Sequence, residues 1–164
     1  MSNLELLLEL LDQAFDHKSW HGPNLRGSIR GLSAEQAAWR AQPARKNIHE
    51  IVLHCAYWKY TVRRRLNGEK RGSFPLQGSN WFTRPLDDQI DIEVWKADVK
   101  LLAETHSSLR AEIAKLTTSQ LSQKAPGAST TLLQLVTGIA AHDLYHAGQI
   151  QTIKRLFADA KSTN

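Results

Sequence analysis

The chain has 164 residues, a formal net charge of +5 and one cysteine, Cys55. That length suits one domain, 1–164, with core enough to fold without staples. A lone cysteine excludes an intrachain disulfide and fits a reducing, cytoplasmic setting. The opening MSNLELLLEL carries Glu5 and Glu9 and has neither a basic stretch nor a cleavage site, so it does not read as a signal peptide. No apolar run reaches membrane-spanning length. The densest basic run, Arg63-Arg64-Arg65 followed by Lys70 and Arg71, falls where a helix should end. Cations there complement the helix dipole, so the net charge reads as a solvated helix end and not as a nucleic-acid surface.

Helical periodicity dominates. Residues 3–18 place Leu4, Leu8, Leu11 and Phe15 on one face, with Leu7 and Ala14 beside it. Gly22-Pro23 breaks this first long helix. Ser33 and Gln36 form a capping-box pair ahead of a short helix that Pro43 stops. The second long helix starts near Asn47, with Glu50 as its box partner, and ends at Asn67-Gly68. It buries Ile48, Ile51, Cys55, Trp58 and Val62. Residues 68–87 form a long loop carrying Phe74, Trp81 and Phe82, the length and composition of a functional loop. The third long helix covers 88–117 with the stripe Trp95, Val99, Leu102, His106, Leu109, Ile113 and Leu116. The fourth runs over 131–158, opened by the box pair Thr131 and Gln134. Four long amphipathic segments without a strand signal predict an all-α fold, a four-helix bundle with long crossover loops. Apolar faces and loop aromatics left over from such a bundle would allow a homodimer.

The fourth helix carries the sharpest chemical signal. Its stripe reads Leu132, Leu135, Ile139, His142, His146, Gln149, Ile153, Leu156, alternating steps of three and four. Three polar groups in succession on an apolar face need partners, since each costs roughly 1–3 kcal/mol if buried unpaired. Histidines four apart on a helix point the same way and can share a metal ion. A third ligand would come from a facing helix. Spacing leaves His54 and His106 open and leans towards His106, which lies in the middle of its stripe. His49 reads as exposed in a first helical turn, and His17 and His21 flank a helix end. Asp143 and Tyr145 flank the pair and point away from it, Asp143 as a surface carboxylate. Gln149 lies one turn beyond His146, placed to orient a ligand. These three are the candidates to support the site from behind. Trp58 reads as core. Trp81 and Phe82 would either roof the site or pack on the bundle rim.

The run His142-Asp143-Leu144-Tyr145-His146 is similar to the zincin pattern with Asp where the general-base Glu belongs. That reading fails, because no residue after His146 is His or Glu and the Asp side chain is a methylene shorter. A closer likeness exists. Ile48-His49-Glu50-Ile51-Val52-Leu53-His54-Cys55-Ala56-Tyr57-Trp58, followed by His142-Asp143-Leu144-Tyr145-His146-Ala147-Gly148-Gln149-Ile150, resembles the DinB-like superfamily. Trp20-His21-Gly22-Pro23 and Leu32-Ser33-Ala34-Glu35-Gln36-Ala37 resemble its YfiT-type branch of metal-dependent hydrolases and low-molecular-weight thiol transferases. The resemblance implies a bundle holding one divalent transition metal through three histidines, and it places them at His54, His142 and His146. His106 then reads as a core histidine. Three imidazoles suit zinc or nickel, with iron also compatible. Three protein ligands with one open position is the catalytic pattern. The expected partner is a small-molecule substrate, a low-molecular-weight thiol in the branch's pattern, with water as the other nucleophile. The alternative is a non-catalytic, metal-dependent binding protein of the stress response.

Overall fold

A computed structural model describes residues 2–162. The elements are α1 (Asn3–Phe15), α2 (Leu25–Ile29), α3 (Ala34–Ala38), α4 (Ile48–Leu66), α5 (Ile92–Ile113) and α6 (Leu132–Ser162), with single 3-10 turns at Leu86–Asp88 and Thr118–Gln120. The four long helices make the bundle. α4 packs chiefly on α5 and α6, α1 lies on α6, and the short α2 and α3 cross between α1 and α4. Both crossovers, 16–47 and 67–91, are long, as the periodicity predicts. Among the described residues no helix is long and apolar enough to cross a membrane.

Side-chain caps set most of the helix starts. Ser2 and Glu5, Ser33 and Gln36, and Thr131 and Gln134 bond reciprocally across their first turns. Asn47 accepts from the Glu50 N–H, but the Glu50 carboxylate does not return to close the expected box. It takes Arg40 instead, through bonds of 2.8 and 2.9 Å. Arg40 also donates to the Arg84 carbonyl, which Asn47 bonds at 2.7 Å. This knot fastens the crossover after α3 and the loop before α5 to the start of α4.

Burial pushes the Glu50 carboxyl up, and the Arg40 guanidinium beside it more than offsets that, leaving it below the ordinary range. A carboxylate with a lowered native pKa stabilises the fold above its unfolded pKa and loses that contribution as pH falls through the native one. Arg40→Met should therefore melt lower at pH 7, by about 2 kcal/mol for a pair exposed on one side. The deficit should narrow at pH 3. Melting curves at the two pH values check this, and a deficit independent of pH counts against the pair as its cause.

Several boundaries differ from the periodic reading. α1 stops at Phe15, where the Asp16 N–H closes the last turn on Asp12. Its buried face is Leu7, Leu11, Ala14 and Phe15, while Leu4 and Leu8 only flank the core. α2 is an added turn, opened by Asn24 accepting from the Gly27 N–H. α5 begins at Ile92 because Asp91 caps it, after the 3-10 turn, and α6 continues to Ser162.

The apolar core comes in two clusters. One joins Leu7, Leu11, Val62, Leu109, Ile113 and Val136. The other joins Phe15, Leu25, Ile51, Cys55, Leu102 and Ile150. Along α4, α5 and α6, the buried residues between the two clusters include the polar Lys59, His106 and Asp143. Each helix gives one member to a polar layer through the middle of the bundle.

Candidate metal centre

α6 stacks His142 and His146 one turn apart, and α4 brings His54 to face them. The Nε2 atoms of His54 and His142 are 3.1 Å apart, and those of His142 and His146 are 3.2 Å apart. The long loop completes the arrangement. Trp58 of α4 donates its indole N–H to the Asn80 side chain at 2.9 Å, and the Asn80 carbonyl bonds His54 Nδ1 at 2.9 Å. Asn80 adopts a left-handed backbone (φ 65°), which asparagine tolerates better than most residues. Trp81 then stacks on the His54 ring, centroids 3.9 Å apart.

These bonds fix two of the three tautomers. A carbonyl only accepts, so His54 Nδ1 carries the proton and its Nε2 presents a lone pair. Gln149 Oε1 bonds His146 Nδ1 at 2.7 Å and does the same for that ring. Gln149 is held in turn by donating to the Tyr145 hydroxyl at 2.9 Å. Burial, above all, lowers the pKa of each ring: His142 to about 3, His146 to about 4, and His54 also downwards. Mutual repulsion among the rings adds to this for His142 and His146. The imidazoles are therefore neutral at pH 7, as metal binding requires.

His142 Nε2 lies at hydrogen-bond distance from both other Nε2 atoms, so without an ion it can donate a proton to one of them, and with an ion all three lone pairs can point to it. Tetrahedral zinc with Zn–N bonds of about 2.0–2.1 Å would separate ligand nitrogens by about 3.3–3.4 Å. The separations here are close to that, so the donor set fits a divalent ion of this size. His54, His142 and His146 can hold such an ion with their ligand atoms all within 4.8 Å of one another.

A cavity of about 870 Å3 opens onto the three rings. Trp81, Ile153 and Leu156 line it on the apolar side, with Gln149 among the rings and Arg45 and Lys46 on the segment entering α4. Lys46 Nζ stands 5.3 Å from the Trp81 ring centroid. Trp81 is thus at the site, whereas Phe82 is buried with Tyr57 and Phe74 under the loop. Asn80, Arg45 and Lys46 carry no periodic signal and were not legible as site residues.

Other histidines lie elsewhere. His106 is buried in the polar layer, stacked on Phe15 with centroids 3.6 Å apart, and its Nδ1 faces Lys59 Nζ at 3.2 Å. Burial, then the Lys59 charge, pushes its pKa down to about 2, so it accepts from Lys59 as a neutral ring. His49 is buried, contrary to its reading as an exposed first-turn residue. Its Nε2 bonds Asp98 at 2.8 Å, and Asp98 also takes Arg84. His17 and His21 are exposed and do not line the cavity.

Asp143 departs furthest from expectation. It is 0 % exposed and accepts from Lys59 Nζ, itself 0 % exposed. The buried face of α6 is wider than the ladder drawn on sequence: Leu132, Leu135, Ile139 and His146 of that ladder are buried, and so is the adjoining row Val136, Ala140, Asp143, Ala147 and Ile150. His142 and Gln149 lie on its margin, half-buried towards the cavity, while Leu156 is exposed. Tyr145 is 64 % exposed and reaches the site through Gln149.

The chain is similar to known proteins in family and in fold. Residues 19–150 match the family model described as the DinB superfamily. A crystal structure described as that of the conserved protein of locus from Enterococcus faecalis is similar in fold, with a TM-score of 0.69 at 16% identity. The match covers 95% of this chain and 97% of that one. No curated protein matches the chain.

Proposed function

We propose that this chain, which belongs to the DinB superfamily, holds one zinc or nickel ion at His54, His142 and His146 and uses it to activate a low-molecular-weight thiol or water against a small electrophile. The observation that carries this is the convergence of three neutral Nε2 atoms at the floor of a large cavity. Such an ion, when bound, acts as a Lewis acid that deprotonates a coordinated thiol or lowers the pKa of a coordinated water towards about 7. The chain's own residues supply the rest. Three histidine ligands leave a position open towards the cavity. Asn80 and Gln149 hold two rings in the tautomer that presents Nε2. Trp81 stacks on one ligand and shields it from solvent on that side. The cavity's apolar wall accommodates the carbon skeleton of a substrate, with Arg45 and Lys46 nearby as cations.

The test is elemental analysis of purified protein, followed by assay of the zinc- and nickel-loaded forms with thiol cofactors and a model electrophile. Conjugation or hydrolysis that disappears on chelation is expected. Stoichiometric metal without turnover, but with metal-dependent thiol binding, would favour a binding protein instead. Absence of metal would sink both readings.

A further inference from the structure

His142 differs from the other two candidate ligands in what stands behind it. Nδ1 of His54 bonds a backbone carbonyl and Nδ1 of His146 bonds Gln149. Nδ1 of His142 is buried and has no hydrogen-bond partner among the described residues. Oδ1 of Asp143 is buried and unpartnered in the same sense, its other oxygen taken by Lys59. A ring nitrogen of His142, a carboxylate oxygen of Asp143 and the Cys55 sulfur all lie within 4.8 Å of one another. Two hydrogen bonds of about 2.8 Å meeting at one water span about 4.6 Å. An unmet donor and an unmet acceptor on two side chains this close, beside a buried ion pair, are the polar partners that a structural water requires.

The geometry points to a single ordered water that accepts from Nδ1–H of His142 and donates to Oδ1 of Asp143. Lys59 and Asp143 are then positioning residues of the metal centre. This rests on the metal reading above, because it is metal binding through Nε2 that puts the proton on Nδ1. Lys59 holds the carboxylate from one side, His106 holds Lys59, and the water passes that orientation to the ligand ring. The polar layer between the two apolar clusters thereby becomes the rear support of the third ligand. Groups of this kind fix ring orientation and raise ligand basicity, and their loss commonly costs about 10–100-fold in metal affinity.

The experiment compares the parent with two charge-matched doubles, Lys59→Met with Asp143→Asn and Lys59→Met with Asp143→Leu. Neither double leaves a lone buried charge. Only the asparagine keeps an oxygen that can accept from the water. Zinc affinity is measured by competition with a chromophoric chelator, after circular dichroism has verified the fold of the metal-free proteins. The leucine double should bind zinc about 10–100-fold more weakly than the parent, with the asparagine double between them. Equal affinity in all three proteins, or equal loss in both doubles, would overturn the water bridge while leaving the metal site standing. A parent that binds no zinc would instead remove the metal reading itself. Cys55→Ala should keep parental affinity, and a loss matching the leucine double would assign the bridge to the thiol and overturn the water. Should the doubles not fold, nitrogen-resolved NMR of the zinc-loaded parent decides. The His142 Nδ1 proton should show cross-relaxation to a bound water, and a visible proton without it overturns the proposal.

Discussion

Replacing Lys59 with methionine while Asp143 remains should destabilise the metal-free protein by about 3–5 kcal/mol at pH 7, the usual result of breaking a buried pair from one side. Methionine fills most of the lysine's volume, so the effect comes from the charge and not from a cavity. Asp143, 0 % exposed, would lose its cationic partner, and His106 Nδ1 would lose its donor as well. Burial already pushes the Asp143 carboxyl up, and the Lys59 charge is what opposes it. Without Lys59 that upward shift grows. A carboxyl raised in the native state costs most at high pH and least once protonated, so the deficit should shrink as pH falls towards 5. For a chain of this length each kcal/mol moves the melting temperature by about 2–4 °C, so a drop of about 10 °C is expected. Urea denaturation at pH 7 and pH 5 in the presence of chelator checks both statements. A loss below about 1 kcal/mol would mean that the pair is not formed. The double with Asp143→Leu should recover much of the stability, since well-packed apolar replacements of buried pairs are often neutral or better.

That layer also shows where the sequence stopped being legible. The bundle itself followed from local signals: box pairs such as Ser33 with Gln36 and Thr131 with Gln134, and stripes such as Trp95, Leu102, Leu109 and Ile113, reappear in the structure as caps and core. Local rules constrain local geometry, so these survive without tertiary information. The width of the buried face of α6 did not. A helix of 31 residues with apolar groups on two adjoining rows admits two ladders of three and four, one through the histidines and one through Asp143, and the bundle buries most of both. Only the facing helices set how far round the burial extends. On sequence Asp143 reads as a surface residue because carboxylates are seldom fully buried. Its burial depends on Lys59, eighty-four positions away, and on His106 behind that. The third ligand posed the same difficulty. His54 and His106 both face the bundle interior, and their levels along it separate them: His106 sits with Lys59 in the polar layer, His54 one turn nearer the cavity. Resemblance pointed to His54, and spacing alone leaned the other way. The loop residue Asn80 was out of reach altogether, because it contributes a backbone carbonyl, which leaves no trace in side-chain pattern.

Loading the parent with zinc should raise its melting temperature, and chelation should return it. At free ion one hundred times the dissociation constant, binding to the native state alone is worth about 2.7 kcal/mol. That corresponds to about 5–10 °C here. The histidine variants divide the response. His54→Ala removes the ring that Asn80 orients and Trp81 covers, leaving a helical pair that binds zinc weakly. Its melting temperature should be insensitive to zinc at the same concentration, and its bound metal should fall well below one equivalent. His106→Ala should melt lower than the parent with or without metal, because it opens a gap beside Phe15 and strips Lys59 of an acceptor. Its zinc-dependent shift should persist, though smaller through the weaker hold on Lys59, since no atom of His106 reaches the cavity. The two variants thus separate a ligand from a core histidine by the size of the metal response and not by overall stability. Full metal retention by His54→Ala, or a complete absence of zinc response in a folded His106→Ala, would overturn the ligand assignment.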